Sequence, residues 1–208
     1  MKVALVLYRG FTALDVVGPF QVLAAAPGVE TMLVAHELGS VADDTGRCPL
    51  VATATFSDVP APEVVVVPGS ELSLDLDPEV VDWLRKAHAT TSWTTSVGTG
   101  SSYLAAAGVL AGKQATTHWA SPARIGEAGV HWSSRRVVQD GRVITAAGST
   151  AGIDMALTLL GLSHGPSVAQ AVQLAIEYDP QPPYDSGSPA KAPHEISDLV
   201  TSYYARRV

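Results

Sequence analysis

An α/β fold, with a doubly wound, mostly parallel sheet and helices on both faces, is the class this sequence predicts. Two observations carry it. Short Val-rich apolar runs recur along the chain and alternate with segments of helical spacing, the signature of a parallel sheet. One of those runs, Val64–Val67, has no polar alternation, as a strand buried on both faces requires. With 208 residues, 47% of them in the hydrophobic set and 16% charged, the chain is no disordered polypeptide. It suits a single domain over 1–208 with a sizeable core.

The elements follow in order. Lys2–Tyr8 reads as the first strand and Ala13–Ala26 as the first helix. Met32–His36 is the second strand, and the alternating Val51–Phe56 fits a hairpin arm or a sheet edge. The buried strand, Val64–Pro68, leads to a helix over Pro78–Ala89. Ser92–Val97 is a strand feeding a helix at Gly100–Leu110, and Val143–Ala147 feeds another at Thr150–Leu162. Helices at Val168–Glu177 and His194–Ala205 close the chain. Between those last two, Asp179–Pro193 contains five prolines, which forbid a helix. It is either a mobile linker or, given Tyr178 and Tyr184 beside the prolines, a strap packed against something such as a second subunit.

Composition excludes several functions. The net charge of −7 argues against nucleic acid as the main partner, since phosphate binding needs clustered positive charge. The one cysteine, Cys48, rules out an intrachain disulfide and a cysteine-rich zinc site, and fits a reducing cytoplasm. The opening MKVALVLYRG lacks the pattern of an export signal, and no apolar run is long enough to span a membrane. His36, His88, His131, His164 and His194 show no metal-ligand spacing, so no metal is expected.

Four motifs fall where strands end and helices begin, the place where open parallel sheets bind ligands. Ser96-Val97-Gly98-Thr99-Gly100-Ser101 runs from strand through a tight turn into helix. It is either a nucleophile elbow with Gly98 at its apex or a glycine turn that merely connects. Thr12-Ala13-Leu14-Asp15 has capping-box spacing, and Asp15, at the same sheet edge as Gly98, is either a helix cap or a general acid–base. Pro68-Gly69-Ser70 is an ordinary turn or a source of backbone N–H donors for an oxyanion. Thr116-Thr117-His118-Trp119 follows a short strand. There His118 is structural or a pocket wall, and Trp119 packs on a ligand or a subunit.

Together these motifs resemble the ThiJ/PfpI superfamily, most of all its isonitrile hydratase branch. The resemblance runs through Ala13–Leu23, Val64–Ser70, Thr94–Gly112, Ala115–Pro122, Ser149–Leu159 and the characteristic Gln173–Pro189. It implies a flavodoxin-like sandwich, a homodimer, no cofactor and a small-molecule substrate. It places the family's acid on Asp15, the elbow threonine on Thr99 and the oxyanion turn on Gly69 and Ser70. With Thr117, His118 and Trp119 of the fourth motif, those two turn residues are the expected substrate-binding positions. The family's cysteine falls on Gly98, which has no thiol, and its usual second glycine falls on Ser70. The elbow position requires a positive φ, which costs a side-chain-bearing residue about 1–3 kcal/mol and glycine little.

The expected function is therefore a cofactor-free acid–base enzyme. It would hydrate, eliminate, isomerise or cyclise a small apolar molecule, with Asp15 moving the proton and Gly69, Ser70 and Thr99 N–H groups holding developing charge. The alternative is a non-catalytic small-molecule sensor or scaffold, a role suggested by superfamily members fused to AraC-type DNA-binding domains.

Overall fold

A computed structural model describes residues 1–71, 75–126 and 128–205. The first half of the chain contains β1 (Lys2–Val6), α1 (Ala13–Ala24), β2 (Glu30–Ala35), β3 (Gly39–Val41), β4 (Leu50–Ala52), β5 (Ala54–Thr55), β6 (Val64–Val67), α2 (Pro78–His88) and β7 (Trp93–Val97). A single 3-10 turn, Gly98–Gly100, joins β7 to α3 (Ser101–Ala106). Then come β8 (Gln114–Ala115), α4 (Ala123–Gly126), β9 (His131–Trp132), β10 (Val137–Asp140), β11 (Val143–Ala146), α5 (Ala151–His164), α6 (Pro166–Ala175) and α7 (His194–Ala205).

Seven strands form the main sheet in the order β10-β11-β7-β6-β1-β2-β5. All its pairs are parallel except β10 with β11. The chain leaves β1 toward one edge through α1 and β2, then leaves β6 toward the other edge through α2 and β7. Right-handed crossovers therefore put α1 and α2 on opposite faces. Helix α1 packs against α5, and α2 against α3. Every residue of Val3–Val6 and Val64–Val67 is fully buried, which explains the unbroken valine run. Neighbours β1 and β6 are the switch point, and the crevice beyond their carboxyl ends is where a doubly wound sheet receives ligands.

Several predicted boundaries shift for identifiable reasons. Helix α3 stops at Ala106 rather than Leu110 because Gly108 takes φ +78°. Val109 N–H then bonds Leu104 O, and Gly108 N–H bonds Ala105 O, both at 2.9 Å, a Schellman termination. Gly165 (φ +89°) separates α5 from α6, and Pro166 opens the latter. The alternating Val51–Phe56 meets both expectations: β4 pairs antiparallel with β3, and β5 lies at the edge beside β2. Strand β10 was not foreseen, although Asp140-Gly141 between two Val-rich runs is a hairpin signal. Residues 179–193 form no helix or strand. At their start Tyr178 is anchored, its hydroxyl donating to Asp154 Oδ1 at 2.6 Å, whereas Tyr184 is 80% exposed.

The sheet can deliver its turns to one place because two glycines permit close contact. A Cβ on Gly152 of α5 would lie 3.1 Å from both Pro19 of α1 and Val97 of β7. On Gly100 it would lie 2.3 Å from Val67 O and 2.6 Å from Pro68 O, contacts that backbone cannot relieve cheaply. Gly100→Ala is therefore expected to cost about 3 kcal/mol or more in urea unfolding. Gly187→Ala, with open space around it, should change stability little. Equal stability of the two variants would contradict this packing.

Candidate active site

Three turns converge at the carboxyl ends of β1, β6 and β7. Asp15, in the first turn of α1, is only 2% exposed. Its Oδ2 accepts the Gly69 N–H at 2.8 Å, and Thr12 N–H donates back to Gly69 O at 2.8 Å. The start of α1 is thereby tied to the turn after β6. That turn is tied in the same way to the elbow: Ser70 N–H donates to Thr99 Oγ1 at 2.8 Å, and Thr99 Oγ1 donates to Ser70 O at 3.0 Å. A Cβ on Gly69 would fall 2.7 Å from Thr99 Oγ1 and 2.9 Å from Asp15 Oδ2, so only glycine fits between them.

Gly98 has φ +56°, the positive angle expected of an elbow apex. Its carbonyl is held by two hydroxyls, Ser101 Oγ at 3.0 Å and Thr117 Oγ1 at 3.2 Å. A Cβ at Gly98 would stand 3.2 Å from Asp15 Oδ2. The place of an elbow side chain is thus directly against the carboxyl group, with Ala147 O 3.7 Å away on another side.

Two expected roles need correction. Thr12 and Asp15 do not form a capping box: Thr12 Oγ1 donates instead to Asp44 Oδ2 at 2.6 Å, and no side chain caps α1. The Gly69 and Ser70 N–H groups do not face the crevice as oxyanion donors, because Asp15 and Thr99 already occupy them. They orient the acid and the elbow threonine. Thr99 N–H, in the first turn after β7, belongs to the N–H groups that a helix start leaves without intrahelical partners.

A cavity of about 400 Å³ opens over this junction, lined by Asp15, Ser70, Gly98, Thr99 and His118. Thr12, Glu71, Ser121, Ser149, Thr201 and Tyr204 also line it, and no sequence motif had singled out the last four. They arrive from α5's N-terminal loop, the segment before α4, and α7, so only the folded chain brings them together. Thr117 is buried beneath the cavity, where it holds the elbow carbonyl. His118 accepts Ala120 N–H at Nδ1 (3.3 Å), which places the proton of a neutral ring on Nε2. Trp119 turns away to a separate pocket formed with Ser186–Pro189 and α7. No other hydroxyl takes over the apex: Ser96 is fully buried in β7, and Ser101 is bonded to Gly98 O. Cys48 is exposed in the loop before β4.

Burial dominates the electrostatics. It pushes the Asp15 carboxyl from 3.8 up to about 6, opposed by the Ser149 hydroxyl and the Gly69 N–H and reinforced by the negative charges of Asp44 and Glu71. Ser149 sits close enough to favour the anion without completing a hydrogen bond, since Asp15 Oδ1 is buried with no partner. An unpaired buried oxygen favours the protonated acid. Among the described residues no cluster of His, Cys, Asp or Glu could hold a metal ion, and no helix is long and apolar enough to cross a membrane.

This combination of a doubly wound sheet, an elbow at positive φ and a buried acid after the first strand defines a class. Residues 1–162 match the DJ-1/PfpI family, and the chain belongs to it. It is 43% identical over 200 residues to an isonitrile hydratase of Pseudomonas putida, covering 95% of this chain and 87% of that protein. A crystal structure of a THiJ/PfpI family protein from Pseudomonas syringae superposes with a TM-score of 0.93 at 33% identity, over 99% of this chain and 86% of that one. The chain is also 38% identical over 109 residues to the HTH-type transcriptional regulator CdhR of Pseudomonas aeruginosa. That match covers 51% of this chain and 32% of the regulator.

The raised carboxyl has a consequence for stability. A carboxyl whose folded value exceeds its unfolded one favours the folded state while protonated. Its contribution is fully present below 3.8 and is lost as pH rises through about 6. That interval corresponds to about 3 kcal/mol. Asp15→Asn keeps the acceptor for Gly69 N–H and removes the titration. The stability of the variant relative to the unsubstituted protein should therefore rise by about 3 kcal/mol between about pH 4 and pH 6 and stay level above. Urea unfolding at each pH checks it, and a difference that is flat or falls across that window contradicts the burial argument.

Proposed function

We propose that this protein is a hydratase-type enzyme that works by acid–base chemistry at Asp15, without a covalent thiol intermediate. The observation that carries the reading is a buried carboxyl, raised to about 6, facing the empty elbow position at Gly98 inside a cavity. Similarity to an isonitrile hydratase makes an isonitrile the first substrate class to test. In this reading protonated Asp15 gives its proton to the terminal isonitrile carbon. A water molecule in the space left by Gly98 then adds to that carbon, and the carboxylate takes a proton from it. The resulting imidic acid tautomerises to the N-formamide, so the sum is isonitrile plus water.

A second reading, ligand binding without turnover, is favoured by the missing side chain at Gly98 and by the partial match to a transcriptional regulator. The homodimer belongs to the proposal as well. Its surface would include α1, where Leu14 and Val17 are exposed.

Formamide formation from a simple alkyl isonitrile, followed by chromatography, tests the reading. A general acid acts while protonated, so the rate should fall about tenfold per pH unit above about 6. Asp15→Asn should lose about 10²–10⁴-fold in kcat/KM without loss of thermal stability. Activity within tenfold of the unsubstituted protein, or a rate that rises through that pH range, would exclude Asp15 as the acid. Binding with no formamide at any pH would support the second reading.

A further inference from the structure

The cavity lining has two chemically different parts. Asp15, Gly98 and Thr99 form one. At the other, His118 meets Tyr204 of α7 edge to face, with ring centres 5.3 Å apart and planes at 72°. This contact is the middle of a continuous row of rings. Tyr203 stands 5.5 Å from Tyr204, and Trp119 stands 5.6 Å from His118. Trp119 in turn lines a pocket of about 140 Å³ with Ser186, Pro189, Ala192, Ile196 and Val200. The proline-rich segment and α7 are thus fastened to the His118 loop through aromatic contacts, and Thr201 and Tyr204 reach the cavity as a result.

This wall is an addition to the common fold. The family match ends at residue 162, whereas α6, the proline-rich segment and α7 all follow it. The reacting end of the cavity comes from the shared part of the fold, and the aromatic wall joins His118 of the shared part to Tyr204 of the extension. Residues that vary a family's substrate while keeping its chemistry belong in such a place.

We propose that Tyr204, braced by His118, is the specificity-determining residue of the site. It selects small molecules that carry a planar aromatic group behind the reacting atom. An aryl ring reaching from the elbow region would add to this row of rings at Tyr204, and aromatic pairs favour centre distances of about 4.5–7 Å. Ala120 and Ala123, the other apolar side chains on the cavity, offer no flat face of comparable size. The inference rests on the proposed hydration only in its choice of reacting group.

Turnover of benzyl isonitrile and ethyl isonitrile by the full-length protein and its Tyr204→Ala and Tyr204→Phe variants tests it. The unsubstituted protein should prefer the benzyl compound. Tyr204→Ala should cut that preference about three- to tenfold, the range that a lost ring pair gives. The change should lie in KM for the benzyl compound, and Tyr204→Phe should retain the preference. If neither isonitrile is turned over, the same three proteins are compared by thermal shift with N-benzylformamide and N-ethylformamide. A benzyl preference that Tyr204→Ala loses and Tyr204→Phe keeps supports the aromatic wall even though hydration has failed. An equal preference in all three proteins, no benzyl preference in the unsubstituted protein, or no binding of either formamide overturns the inference.

Discussion

The hydrogen bond from Gly69 N–H to Asp15 Oδ2 holds two turns so close that no side chain fits between them, and the rest of the site depends on that approach. Gly69 lies against Asp15 on one side and Thr99 on the other. Gly100 brings the elbow within the reach of a single backbone layer of β6. The doubly wound sheet supplies the coarse placement, since β1 and β6 are neighbours whose connections depart in opposite directions. The glycines then set the fine spacing. Rigid backbone on each side explains how a carboxylate in the first turn of α1 can be kept buried against the Gly69 N–H.

Burial gives that carboxyl its character. One oxygen has a backbone donor and the other has none, and the acid residues Asp44 and Glu71 oppose ionisation further. A helix start ordinarily favours an anion, so Asp15 shows desolvation prevailing over the helix dipole. An elbow thiol would sit against this acid and share protons with it. With glycine there, the same acid borders the cavity beside a turn that carries no side chain. In the proposed function Asp15 is the group left to move a proton.

Much of this was legible in the sequence, and the exceptions have physical causes. The valine runs and strand–helix alternation predict the sheet because burial on two faces leaves no polar periodicity to obscure them. Asp15, Gly98 and Thr99 stand out because each follows a strand end. The partner of each hydrogen-bonding group was not legible: Thr12 to Asp44, Asp15 to Gly69 and Ser70 to Thr99 are long-range choices that local spacing does not encode. Local spacing suggested a capping box where the fold made a cross-link between turns. Tyr204 escaped notice because nearly thirty residues, including the prolines, separate it from α6, and only the row of rings ending at Trp119 brings it over the elbow. Trp119, expected on a ligand or a partner subunit, lines a separate pocket together with the chain's own extension.

The central claim is that Asp15 stays protonated up to about pH 6 because it is buried beside the elbow turn. Titrating the carboxyl carbons by carbon-13 NMR, with the Asp15 signal assigned by its absence in Asp15→Asn, measures this directly. A midpoint about two units above that of an unperturbed aspartate, near 3.9, agrees with the value of about 6 that burial imposes. A midpoint at or below the unperturbed value would mean that the carboxyl is an ordinary helix-start anion, and the acid–base account would fail.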